Sequence, residues 1–359
     1  MFKNSSLSPW QHIESQYQSS HQEFLNNFIN TAGLKSSSYL LVLITLTLFG
    51  CQKQKSGAIV SEQLITPPLA VQPKYHPIDS AIKMRDYFAY MDSVVLEYQA
   101  ENINPKLSEY HLAHANPWLI HRLYQTDYYL LKEKGIINKK QHELLVLRPS
   151  DLLRIPDAAE RKRIDEQLNH TLLDINLPEF TLRIIQYDSV LYKIPVRIGQ
   201  ERKKYLAMAQ REVDLRTHSG VGEIIRINKN PAFINPANNH VYRKTTRDDG
   251  VRTDLPVIPW LEPSINGIRY GQLIHPTTNP VTLGKKSSNG CIGTRECDAW
   301  LIYFHAPLGT KVVIRNDRHV IDSQGDTILL PQVYRGIPEV ARSTPALPID
   351  LIAEYVEAI

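Results

Sequence analysis

The chain has 359 residues and a formal net charge of +4, from 41 Lys and Arg against 37 Asp and Glu, with the two signs mixed along its length. That bias is too weak to argue for nucleic acid and no nucleic-acid motif accompanies it, while 42% hydrophobic and 22% charged residues suit a globular protein with a real core. Three cysteines, Cys51, Cys291 and Cys297, are too few and too odd in number for a disulfide framework.

Tyr39 to Phe49 reads YLLVLITLTLF, an uncharged apolar run of eleven residues. A membrane-spanning helix needs about 20 residues, so the run fits the apolar centre of a secretory signal, with Lys35 and serines ahead of it. It ends Leu48-Phe49-Gly50-Cys51. That ending resembles the lipobox of bacterial lipoproteins, which implies cleavage before Cys51 and a lipid on its thiol. A short uncleaved anchor is the other reading, and both place the body of the chain outside the inner membrane. Met1 to Gly33 carries Glu14, Glu23 and histidines ahead of the signal, so translation is expected to start at Leu34. Residues 1–50 are therefore expected to be the signal segment. Residues 51–77, polar with paired prolines, are expected to be a tether.

From residue 78 to 170 the apolar spacing is helical, and a small helical subdomain is expected. Ile82, Tyr87, Met91, Val94, Val95 and Tyr98 mark a first helix. A second is expected from Pro117, capped by Asn116, to Gly135, a third from Asn138, and a fourth from Asp157. His111 and His114 lie one helical turn apart, but zinc wants three or four ligands, so surface or capping roles are expected and no metal is assigned. Tyr124, Tyr128 and Tyr129 read as core and helix surface rather than as a sugar platform.

At Leu172 the period changes to two. LLDINLPEFTLRIIQYDSVLYKIPVRIG reads as a hairpin turning at Asp188-Ser189, with further strands at Gly222 to Ile227 and Lys311 to Ile314. The fold class is thus α+β: a β-rich domain over residues 171–316 after the small helical subdomain, then a C-terminal extension over 317–359.

Inside the β-rich part, Ile274-His275-Pro276-Thr277 is followed by Ser287-Ser288-Asn289-Gly290-Cys291-Ile292, putting His275 and Cys291 sixteen positions apart (291 minus 275). A thiol is a strong nucleophile as its thiolate, and a nearby imidazole is a common way to make one. Cys291 as nucleophile and His275 as base is the chemistry this spacing suggests, the pair resting as thiolate and imidazolium. Cys297, in ECDAWL, reads as a buried inert thiol.

The succession INLPEFTLRII, PVRIG, GVGEIIRINKNPAF, IHPTTNPVTLG, SSNGCIG and APLGTKVVI, from Leu172 to Ile314, resembles the YkuD-type L,D-transpeptidase domain of bacterial cell-wall enzymes. Ser288, Gly290, Cys291 and His275 match that family's motif. Asn289 stands where the family usually has a second histidine, and Gly293 where it commonly has arginine or asparagine. The resemblance implies peptidoglycan stem peptides as partners, no cofactor, and acyl transfer through a Cys291 thioester that releases terminal D-alanine. The acceptor is an amine of a neighbouring stem or of a wall-linked protein. It also implies that the Pro276 carbonyl orients His275. The N–H groups of Gly290 and Cys291 can stabilise the oxyanion, and Ser288, Asn289 and Arg295 are candidate substrate contacts. Arg295 could instead be a solvated surface residue. Two rivals stay open: water as acceptor, giving an L,D-carboxypeptidase, and a silent peptidoglycan-binding lipoprotein. The expected location is the periplasmic face of the bacterial envelope, anchored to the inner or outer membrane through lipid on Cys51, with oligomeric state open.

Overall fold

The structure is a computed structural model that describes residues 73–336, apart from 101–103, 137–139, 236–237 and 323. The signal segment, the start at Leu34, Cys51, most of the expected tether and the end of the C-terminal extension lie outside the described residues. No helix among the described residues is long and apolar enough to cross a membrane.

The last residues of the stretch read as a tether are strand. β1 (Lys74–Pro77) pairs antiparallel with β4 (Leu152–Ile155), setting Lys74 opposite Ile155. Ile82, placed on a helix by its spacing, lies instead in β2 (Ile82–Lys83), which pairs with β3 (Leu145–Leu147). Helix α1 (Tyr87–Ala100) buries Tyr87, Met91, Val94 and Tyr98, one helical face at intervals of four, three and four. Val95 lies at the margin of that face.

Helix α2 (Glu109–Ala115) starts with a capping box, in which Ser108 N–H donates to His111 Nδ1 at 3.0 Å and the Ser108 hydroxyl accepts from His111 N–H. With Nδ1 accepting, Nε2 carries the proton and donates to Asp165 Oδ1 at 2.7 Å. His114 donates from Nε2 to the Phe304 carbonyl at 2.8 Å. His111 therefore caps, but neither histidine lies on the surface: His111 is buried, and enclosure lowers the pKa of His114. Among the described residues no group of three His, Cys, Asp or Glu is arranged to hold a metal ion.

The helix expected from Pro117 to Gly135 is two helices, α3 (Pro117–Tyr124) and α4 (Tyr128–Glu133). Asp127 causes the break: Oδ1 accepts the N–H groups of Tyr129 (2.8 Å) and Leu130 (3.2 Å), capping α4. Asn116 makes no side-chain cap; it ties α2 to β4 through Leu112 O, Arg154 O and Arg154 N–H. The helix expected at Asn138 is only a 3₁₀ turn, Gln141–Glu143, because β3 follows at once. Helix α5 (Ala158–Asn169) begins at Asp157, which caps Glu160 N–H at 2.8 Å.

The β-rich part opens with a meander, β5 (Thr171–Asn176), β6 (Thr181–Gln186) and β7 (Ser189–Pro195), whose last turn is Tyr187-Asp188. The short β8 (Ile198–Gly199) and the hairpin β9 (Lys203–Leu206) and β10 (Arg211–Asp214) lead to β11 (Gly220–Asn228). A long excursion then carries two small hairpins, β12 (Phe233–Ile234) with β13 (Val241–Tyr242) and β14 (Lys244–Thr246) with β15 (Arg252–Asp254). The chain continues through β16 (Trp260–Ile265), β17 (Ile274–Pro276), β18 (Lys286–Ser288) and β19 (Ile292–Thr294). Helix α6 (Glu296–His305) and β20 (Lys311–Arg315) follow, and β21 (His319–Ile321) pairs with β22 (Thr327–Leu329). Eight strands form one mixed sheet in the order β19-β17-β16-β11-β20-β5-β6-β7, parallel at β17/β19 and at β20/β5.

Every residue of α6 is buried, Cys297 included. One side of the helix meets β16 and β17, and the other meets α2 and α3. Trp300 stacks on Phe88 with ring centres 5.8 Å apart and meets Tyr87 edge-on at 6.2 Å. The polar links are reciprocal: Asp127 Oδ2 accepts Cys297 N–H at 2.9 Å, and Glu296 accepts Tyr128 N–H at 3.0 Å and the Gln141 amide at 2.7 Å. The helical region and the sheet therefore share one core, with α6 as its common member.

Candidate active site

β17 reaches β16 through the Leu261–Ile274 pair and runs parallel to β19, with His275 opposite Gly293. Residues paired across neighbouring strands point to the same side, so His275 and position 293 lie toward one side, and Cys291 stands just before β19. The sequence-predicted pair is thus brought together at the ends of two neighbouring strands. Cys291 is partly exposed, and its Sγ accepts Leu273 N–H at 3.4 Å.

His275 Nδ1 lies 2.8 Å from the Pro276 carbonyl. A carbonyl only accepts, so Nδ1 carries the proton and Nε2 of the neutral ring is left with its lone pair. Enclosure by protein pushes the His275 pKa down to about 4, with the Arg197 charge adding to the effect and the Pro276 carbonyl opposing it. Enclosure likewise raises the Cys291 thiol, against Leu273 N–H and Arg197, which lower it, while Glu262 raises it further. Desolvation thus favours thiol and neutral imidazole over the expected thiolate and imidazolium, because it disfavours both charges.

The turn before Cys291 is shaped from inside. Gly290 has φ +107°, a region open to glycine, whereas a Cβ there would meet nothing closer than 3.8 Å. Conformation, not space, requires this glycine. The Ser288 hydroxyl donates to the Cys291 carbonyl at 2.5 Å and accepts Gly290 N–H at 3.3 Å. Ser288 is buried and spent on the turn, so it is not positioned as a substrate contact, and the Gly290 N–H expected to face an oxyanion is engaged by it. Asn289 is exposed, two residues before Cys291. Arg295 departs from both of its expected roles: it is buried and forks onto Asp298, with Nε–Oδ2 at 2.6 Å and Nη2–Oδ1 at 2.9 Å.

Two groups near the site had no local signal in the sequence. Arg197 exchanges backbone hydrogen bonds with Gly293, at 2.9 and 3.0 Å, and its side chain lies across that glycine. Tyr334, from the C-terminal extension, is buried behind the turn. Its hydroxyl donates to Gly199 O at 2.7 Å and accepts Thr217 N–H at 3.2 Å, while the Thr217 hydroxyl donates to Gly290 O at 3.0 Å. The extension thereby buttresses the turn before Cys291.

Beyond the site, the excursion between β11 and β16 is pinned to α4. Arg247 stacks on the Tyr128 ring at 3.8 Å and lies 2.9 Å from Glu296, and Lys132 pairs with Asp249 at 2.6 Å. Tyr128 and Tyr129 therefore serve as packing surface for protein. The hairpins of this excursion line a groove of about 950 Å³ whose walls include Phe233, Tyr242, Lys244 and Arg252 but not His275 or Cys291.

Residues 170–314 match the model of the L,D-transpeptidase catalytic domain of the YkuD family. No curated protein matches the chain. Among solved structures, an L,D-transpeptidase from Mycobacterium smegmatis is similar at 15% identity and a TM-score of 0.28, over 41% of this chain and 58% of that one. An L,D-transpeptidase from Xylanimonas cellulosilytica is similar at 15% identity and a TM-score of 0.30, over 55% of this chain and 91% of that one. L,D-transpeptidase 3 from Mycobacterium tuberculosis, solved with a faropenem-derived adduct, is similar at 14% identity and a TM-score of 0.28. The chain spans 58% of the Mycobacterium smegmatis protein and 60% of the Mycobacterium tuberculosis one. Residues 170–314 thus match a YkuD-type L,D-transpeptidase catalytic domain, and the β-rich sheet described above spans the same stretch.

Proposed function

We propose that this chain is a peptidoglycan L,D-transpeptidase in which Cys291 is the nucleophile and His275 its base. The observation that carries the reading is the held imidazole: Nδ1 is fixed on the Pro276 carbonyl, so Nε2 is free to take a proton, and the strand register sets His275 beside the nucleophile turn. On substrate binding the Sγ proton passes to Nε2 and Sγ bonds the carbonyl carbon between the L-centre and the D-residue of a tetrapeptide stem. Terminal D-alanine leaves, its nitrogen taking the proton from Nε2, and a thioester remains. An amine of a neighbouring stem or a wall-linked protein then gives a proton to Nε2 and attacks the thioester, and the departing sulfur recovers the proton. With Gly290 N–H held by Ser288, Cys291 N–H is the donor this reading assigns to the oxyanion. Exposed Asn289 forms the rim that meets the stem.

Incubating the protein with tetrapeptide muropeptides tests the reading. Cross-linked dimers are the expected product; tripeptide alone would make the chain a carboxypeptidase, and unchanged muropeptide that stays bound would make it a silent binding protein. We also propose that the chain sits at the periplasmic face of the envelope through lipid on Cys51, on the strength of the apolar run ending Leu48-Phe49-Gly50-Cys51. Replacing Cys51 by Ala should move the protein from the membrane fraction to the soluble one; unchanged membrane association would refute lipid anchoring at that residue.

A further inference from the structure

Gly293 and Arg197 occupy one another's space. A Cβ on Gly293 would lie 2.5 Å from Arg197 Nε, 2.8 Å from its Cγ and 3.1 Å from its Cδ. Gly293 is not among the residues with positive φ, so its backbone does not demand glycine. The arginine side chain does. The two residues form a hydrogen-bonded bridge, Arg197 N–H to Gly293 O at 2.9 Å and Gly293 N–H to Arg197 O at 3.0 Å, which directs both toward the same side. That side is also the one to which the β17/β19 register directs His275, whose partner Gly293 is two residues on from Cys291 in the paired segment.

The guanidinium is held but not neutralised. Nη1 donates to the Thr282 hydroxyl at 3.3 Å, and buried Nε has no hydrogen-bond partner. Among the described residues no carboxylate pairs with Arg197. An enclosed cation without an anion is costly unless an anion forms beside it during function. Enclosure lowers the Arg197 pKa, and the one negative charge that opposes this is that of the Cys291 thiolate. The charges that face the thiol are Arg197, His275 when protonated, and Glu262 of β16, which Arg226 and Arg269 already hold at 2.6 and 2.5 Å.

We propose that Arg197 is the counter-ion of the Cys291 thiolate, reaching the nucleophile from a separate segment across the space that Gly293 leaves empty. The assignment rests on Cys291 being the nucleophile and adds the group that makes its ionised form accessible in an enclosed site. When the Sγ proton moves to His275 Nε2, the guanidinium offsets the new charge on sulfur without giving up a proton. As sulfur bonds carbon, that charge passes to the oxyanion. Arg197 thus lowers the cost of forming the thiolate without taking part in proton transfer.

The test is the pH dependence of Cys291 alkylation by iodoacetamide, read by peptide mapping in the full chain and in its Arg197→Gln, Arg197→Met and Arg197→Lys variants. Buried Cys297 serves as a folding monitor, since it is labelled only if the domain opens. The two neutral variants are expected to raise the alkylation midpoint by about one pH unit, a tenfold loss of thiolate at neutral pH, while Lys restores most of it. A purely structural role would label Cys297 and leave the Cys291 midpoint unmoved. A midpoint equal to wild type in either folded neutral variant, or a Lys variant as slow as Gln, overturns the proposal. Because alkylation needs no muropeptide, the result is separate from whether cross-links form.

Discussion

Cys291→Ala is expected to abolish turnover, and His275→Ala to lower it by about 10²–10⁴-fold, the usual contribution of a positioned acid–base group. The size follows from the resting state of the pair. Enclosure raises the thiol, so without the imidazole almost no thiolate exists at neutral pH. The residual activity of His275→Ala should therefore climb with pH, about tenfold per unit, until the thiol itself ionises. The wild type should behave differently at the acid end. His275 works as a base only when neutral, and its pKa lies near 4, so kcat/KM should hold through pH 6 and fall as pH drops through about 4. A wild-type acid limb centred at the ordinary histidine value, or a His275→Ala profile parallel to wild type, would contradict this arrangement. His275→Gln, which can still bond the Pro276 carbonyl but cannot carry a proton, should resemble Ala.

Trp300→Ala is expected to cost about 3–5 kcal/mol, a large part of the roughly 5–15 kcal/mol by which a domain is stable. Trp300 is fully buried on α6 and meets Tyr87 and Phe88 of α1 as well as Phe304 of its own helix. Removing it opens a cavity in the core that the helical region and the sheet share. Its indole Nε1 has no hydrogen-bond partner, so Trp300→Phe should cost far less than Ala. Urea denaturation followed by far-UV circular dichroism measures both. The Ala curve should shift as a single transition; an early transition of the helices alone would show that the two regions have separate cores.

The readable parts of the chain were those whose meaning is local. His275-Pro276 carries its own orienting carbonyl, and Cys291 follows a glycine whose φ is set within the turn. The period change at Leu172 marked the start of the sheet domain, and the strands at Lys311 and Gly222 could be read from their own residues. Helix α6 was harder to see. It is buried on all sides, so DAWLIYFH shows no polar face and gives no period to detect.

Ser288 and Arg295 had the right chemistry for substrate contact, but a hydroxyl or a guanidinium does not reveal which partner will claim it. Tertiary packing gave one to the turn and the other to Asp298. Tyr334 acts on the turn from the far end of the domain, through Gly199 and Thr217. From the sequence alone came a β-rich domain with a thiol and an imidazole sixteen residues apart, and its family resemblance singled out Gly293 as standing where arginine or asparagine is common. Only the tertiary structure brought Arg197 across that glycine from another segment, because charge and space are settled by the neighbours a fold assembles.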